Sequence, residues 1–194
     1  MKKTYETDLP DGYRSAYVIN AADNKTGLLL NAVAGGIMIL VAALCLWILW
    51  PLDFSEGFGY VRVLALSVSM LVYLVLHELV HGAAYKLLTK QKLTFGITLT
   101  VAFCGVPQIY VYRKTALISL LAPFVTFTIL FGTLMAVLPG SMNKLTAAIL
   151  LAIHVGGCSG DLYDTILFLF KYRDPKTLMR DTGPEQTFYL PETN

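Results

Sequence analysis

The chain of 194 residues is 56% hydrophobic and only 14% charged, with a mean hydropathy of +0.61. Soluble domains average about 45–50% apolar and about 25% charged residues, so the composition excludes an ordinary soluble enzyme and a disordered tail alike. A net charge of +2, from 15 basic and 13 acidic residues, is too small for a nucleic-acid partner, and no basic cluster interleaved with aromatics is present.

Residues 1–26 are polar and form a cytoplasmic N-terminal segment. Lys2 and Lys3 are not followed by the short apolar core of a cleavable signal, so the first apolar run is expected to stay in the protein. Four segments then reach the roughly 20 apolar residues that a bilayer requires, namely 27–50, 61–88, 115–138 and 145–170. The expected fold is an all-α membrane protein of four transmembrane helices. Its membrane-embedded domain covers 27–170, and 171–194 is a cytoplasmic tail of partial order. Ala32, Gly35 and Gly36 would let the first helix approach a neighbour closely. In the third, Pro123 lacks an N–H and clashes with the carbonyl of Ser119, so a kink is expected there.

Basic residues set the orientation. Lys2, Lys3, Arg14 and Lys25 precede the first span, and Lys86, Lys90, Lys92, Arg113 and Lys114 lie between the second and third. Lys171, Arg173, Lys176 and Arg180 follow the fourth, so 13 basic residues share one side against Arg62 and Lys144 on the other. Both termini are thereby expected on the cytoplasmic side of a cell membrane.

The connection 89–114 is more than a loop. Leu93, Phe95, Ile97, Leu99 and Val101 alternate with Thr94, Gly96, Thr98, Thr100 and Ala102, the period of a strand, and their β-branched and aromatic content agrees. With a turn at Gly105-Val106-Pro107 and a return through Ile109–Tyr112, residues 93–112 form a β-hairpin-like insertion between helices two and three. The three cysteines, Cys45, Cys104 and Cys158, make no CxxC pair and are expected as small, reduced apolar side chains.

The second apolar segment ends in His77-Glu78-Leu79-Val80-His81-Gly82. Histidines four apart lie on one helical face, and both imidazoles can reach one zinc ion at about 2.0–2.1 Å. Glu78 beside them can accept a proton from a water that the metal acidifies. Two of the chain's three histidines fall in this motif, and a carboxylate in a membrane segment costs about 2.5–3.5 kcal/mol on insertion scales. A catalytic zinc takes three protein ligands. The fourth segment offers His154, Cys158, Asp161 and Asp164 on one stripe at steps of four, three and three. Depth favours Asp161: at about 1.5 Å per residue it is level with the histidine pair, with Asp164 about 4 Å shallower and His154 about 10 Å deeper. Asp164, Cys158 and His154 stay open as alternatives. Gly156, Gly157 and Gly160 thin the helix before it, for approach to the metal helix or for plain packing.

The His77–Gly82 motif late in an apolar helix, a strand-rich insertion and Gly160-Asp161 in a later helix together resemble the site-2-protease class of intramembrane metalloproteases. More closely, 77–164 resembles a zincin peptidase family of bacterial membrane proteins. In the site-2 class Asn-Pro precedes the aspartate and Gly follows it, whereas here Ser159-Gly160 and Leu162 stand in those places. The resemblance implies a Zn2+ held by His77, His81 and Asp161, with Glu78 as general base. It implies cleavage of membrane protein or peptide substrates in the lipid bilayer. Two other functions use the same residues: a zinc-binding membrane protein without hydrolysis, and a metal-free helical scaffold with Glu78, Asp161 and Asp164 as a polar relay.

Overall fold

The computed structural model describes residues 3–21, 23–55, 57, 59–97 and 102–192. In chain order they form β1 (Tyr5–Glu6), β2 (Tyr13–Asn20), α1 (Asn24–Leu49), α2 (Tyr60–Thr89), β3 (Thr94–Ile97), β4 (Ala102–Gly105) and β5 (Tyr110–Tyr112). Then follow α3 (Arg113–Val137), α4 (Ser141–Gly157), α5 (Ser159–Ile166), a π-helical turn (Leu167–Lys171), β6 (Leu178–Asp181) and β7 (Glu185–Pro191). α1, α2 and α3 are each long and apolar enough to cross a membrane. α4, α5 and the π turn make a fourth span if the broken pair counts as one.

The fold is mostly helical, yet the all-α expectation fails. A five-stranded sheet runs in the order β1-β5-β6-β7-β2, antiparallel at every pairing. Both termini build it, including the tail expected to be only partly ordered. Its pairings join the two ends of the chain, from Tyr13 opposite Pro191 to Asn20 opposite Glu185. β6 has buried Leu178 and Met179 side by side, which breaks the alternation that would announce a strand. The insertion also departs from expectation. β3 pairs with β4, from Thr94 opposite Gly105 to Ile97 opposite Ala102, and residues 98–101 of the expected strand lie outside the described residues. The expected return segment, β5, pairs instead with β1 and β6. After Gly105 the Val106 N–H donates to the Asp181 carbonyl at 2.9 Å, which draws the chain out of the hairpin and into the larger sheet.

The fourth apolar segment is interrupted. α4 closes at Gly157, the Cys158 N–H still reaches the His154 carbonyl at 3.0 Å, and α5 starts afresh at Ser159. Gly156, Gly157 and Gly160 surround the break, each about 1 kcal/mol worse than alanine in a helix.

Two compact units share the chain: residues 1–30, 77–123 and 161–194 form one, and 31–76 with 124–160 form the other. In the first, Phe188 and Met179 of the sheet pack with Tyr85 of α2, Ala116 and Leu120 of α3 and Phe168 of the π turn. The Phe168 and Phe188 rings lie 4.8 Å apart. Among the described residues this unit holds every lysine and arginine except Arg62 and Lys144. The second unit has an aromatic seam in which Tyr73 meets Phe127 at 5.1 Å and Phe131 at 5.6 Å. Its tight helix contact is at Gly156, where an added Cβ would stand 2.7 Å from the Ala34 carbonyl oxygen and 2.9 Å from Met38 Cβ. Gly35 and Gly36 of α1 have nothing within 4 Å of such a position, so the small residue that permits close approach is on α4.

Gly156→Ala should cost about 1–3 kcal/mol by overpacking, seen as a lower thermal midpoint in detergent. Gly36→Ala should leave the midpoint unchanged or slightly raised, because alanine is the better helix former.

Candidate metal centre

In its second half α2 buries a polar stripe, and just before and along it apolar side chains are exposed. Tyr73, His77, His81, Tyr85 and Thr89 recur every four residues and are all buried, on a stripe that drifts by about 40° per step. Leu71, Val72, Leu74, Val75 and Leu76 are exposed. This inversion of the soluble pattern suits a helix whose outer face meets lipid, since polar groups in hydrocarbon must find partners inside the protein.

At the middle of the stripe the two imidazoles converge. His81 Nε2 lies 3.2 Å from His77 Nε2, and Asp161 Oδ2 lies 3.5 Å from His77 Nε2 and 3.3 Å from His81 Nε2. Asp161 comes from the first turn of α5, where unpaired backbone N–H groups favour a carboxylate. The break at Cys158 thus gives Asp161 a fresh helix start. His81 Nδ1 is 2.8 Å from the Ser119 carbonyl oxygen. That oxygen can only accept, so Nδ1 carries the proton, and in the neutral ring Nε2 is a bare lone pair aimed at Asp161.

Lone pairs and a carboxylate oxygen this close repel unless a proton or a metal cation lies between them. A tetrahedral zinc with ligands at about 2.0–2.1 Å spaces them about 3.3–3.4 Å apart. Separations of 3.2, 3.3 and 3.5 Å are those of one face of that tetrahedron. Two imidazoles and one carboxylate are also a donor set that zinc takes in catalytic sites. His77, His81 and Asp161 therefore fit a metal ion.

Around the cluster stand Glu78 and the hairpin. The Cys104 backbone N–H hydrogen-bonds the Glu78 carboxylate, so β4 holds the glutamate beside the histidines. Gly82 makes that proximity possible. A Cβ there would lie 2.8 Å from Phe95 Cζ, 3.1 Å from Leu93 Cδ1 and 3.3 Å from Cys104 Sγ. The Cys104 thiol itself is pushed up to about 12 by burial, with the Asp181 and Glu78 carboxylates adding to the effect, so it stays a neutral, unreactive thiol.

Two further residues of the α4–α5 stripe, Asp164 and His154, are buried. Asp164 is 3% exposed, and its Oδ1 has no hydrogen-bond partner among the described residues. His154, in the second unit, is engaged on both nitrogens. Nδ1 meets the Tyr73 hydroxyl at 2.8 Å and Cys158 Sγ at 3.6 Å, while Nε2 meets Thr128 Oγ1 at 3.2 Å and the Phe124 carbonyl at 3.2 Å.

Asp181 is absent from any sequence expectation because its segment gives no periodic signal. Its Oδ2 accepts from the Tyr85 hydroxyl at 2.7 Å, its Oδ1 accepts from the Gly183 N–H at 2.9 Å, and burial pushes its carboxyl above the ordinary value. Through Tyr85, one turn beyond His81, it ties the sheet to the metal helix. The only advance signal was Tyr85 itself, at the next four-residue step of the stripe.

The model of a protein family described as "putative zincin peptidase" (DUF3267) matches residues 70–176, more than half of the chain. The protein belongs to this family. No curated protein and no solved structure matches it.

Asp181→Ala would leave the buried Tyr85 hydroxyl and the Gly183 N–H without acceptors, at about 1–3 kcal/mol each. Thermal unfolding in detergent should register the loss. The same substitution made on a Tyr85→Phe background should cost measurably less, since one of the two orphaned donors is then gone.

Proposed function

We propose that this protein is a zinc-dependent intramembrane metallopeptidase that hydrolyses peptide bonds of membrane proteins or peptides near the cytoplasmic side of the membrane. The observation that carries it is the meeting of His77 Nε2, His81 Nε2 and Asp161 Oδ2 at tetrahedral spacing, with Glu78 next to them in the chain. The family membership supports the same chemistry. The partition of the basic residues supports cytoplasmic termini.

Zinc bound here would polarise the scissile carbonyl and make water acidic enough to ionise near neutral pH. Glu78 does the proton work. Its carboxylate takes a proton from the attacking water and delivers it to the leaving amine nitrogen, while the Cys104 N–H keeps it in place. His77, His81 and Asp161 bind and orient. The hairpin offers a place for the substrate. β3 pairs only with β4 among the described residues, so its other edge can pair with an unwound substrate segment, close to Gly82 of the motif.

Elemental analysis of the full chain purified in detergent should give about one zinc per molecule. His81→Ala and Asp161→Ala should lose it, and Asp164→Ala should keep it. Glu78→Gln should retain zinc and lose about 10²–10⁴-fold in hydrolysis of a membrane substrate. Zinc-free folded wild type after metal is added back would remove the peptidase function, and an active Glu78→Gln would remove the base.

A further inference from the structure

In an α-helix each carbonyl is taken by the N–H four residues on. α3 runs from Arg113 to Val137 with Pro123 inside it, and proline has no N–H to give. The carbonyl left over is that of Ser119. This residue is fully buried, so water cannot serve as the missing donor. The partner present is His81 Nδ1, at 2.8 Å. The Ser119 hydroxyl is itself without a hydrogen-bond partner among the described residues, so it does not compete for that nitrogen.

We infer that Pro123 is a positioning residue of the metal centre, acting by withholding an N–H so that the Ser119 carbonyl is free to orient His81. The inference rests on the zinc site proposed above. Metal-binding histidines commonly donate their second ring N–H to a carbonyl or carboxylate, which fixes tautomer and ring orientation. Here the acceptor is supplied by a defect in a neighbouring helix. With the proton held on Nδ1, Nε2 presents its lone pair towards Asp161 Oδ2 and His77 Nε2. An ordinary residue at 123 would bring its own N–H to the Ser119 oxygen and weaken that anchor.

The test compares wild type, Pro123→Ala, and a chain carrying the α-hydroxy analogue of alanine at position 123. The last lacks both the proline ring and the N–H. Zinc affinity is measured by chelator competition in detergent. The His81 tautomer is read separately from 15N shifts of metal-free, histidine-labelled protein, assigned by their loss in His81→Ala. Pro123→Ala should weaken zinc binding about 10–100-fold and mix the Nδ1–H form with the Nε2–H form, and the hydroxy analogue should restore both. Wild-type affinity and an unchanged tautomer in Pro123→Ala would overturn the inference. So would equal weakening in the hydroxy analogue, since ring shape and not the missing N–H would then be the cause. If wild type binds no zinc, the zinc site fails on its own, and the tautomer comparison still decides the role of Pro123.

Discussion

Polar groups in the middle of apolar helices need partners inside the protein, because lipid offers none. On α2 this requirement falls on a stripe from Tyr73 to Thr89, and three of its members are answered by other elements. Tyr73 is met by His154 of α4, His81 by the α3 backbone and Asp161 of α5, and Tyr85 by Asp181 of the sheet. One helix therefore organises the rest. Between Leu71 and Leu79 its outward residues are mostly leucine and valine, side chains suited to hydrocarbon.

Two interruptions of regular helix matter to the centre. Pro123 frees a carbonyl in α3, and the break at Cys158 starts α5 two residues before Asp161. In a soluble protein either defect could be repaired by water. In a buried membrane setting a loose group must find a partner inside the protein, and the Ser119 carbonyl finds His81. The hydrogen bond that Pro123 cannot make leaves a carbonyl for the imidazole, and the new helix carries the carboxylate in its first turn.

The hairpin and the larger sheet meet close to the centre. β4 holds Glu78 through a backbone N–H, and its backbone lies against the β6–β7 turn. At Gly105 a Cβ would stand 2.7 Å from the Gly183 nitrogen and 2.9 Å from the Asp181 carbonyl oxygen. Gly183 has a φ of 103°, a region that side chains other than glycine's rarely enter. The glycine therefore lets the turn pass beneath the hairpin, and Asp181 on the same turn grips Tyr85.

By itself the sequence determined what depends on local spacing. Runs of apolar residues set the helices, because crossing hydrocarbon needs length and little else. Histidines four apart share a face whatever surrounds them, and a proline always deprives the carbonyl four residues earlier. The depth count that favoured Asp161 assumed one unbroken helix, and the break at Cys158 interrupts it. Tertiary structure decided the remainder. Asp161 and Asp164 lie on the same stripe three residues apart, and only the packing of α5 against α2 separates the one that meets both imidazoles from the one buried away from them. Asp181 and the sheet were not legible, since strands of two to eight residues joined across the whole chain have no local period to betray them. The acceptor for His81 was half legible: Pro123 marked the idle carbonyl, but which donor would find it depended on how two helices lie together.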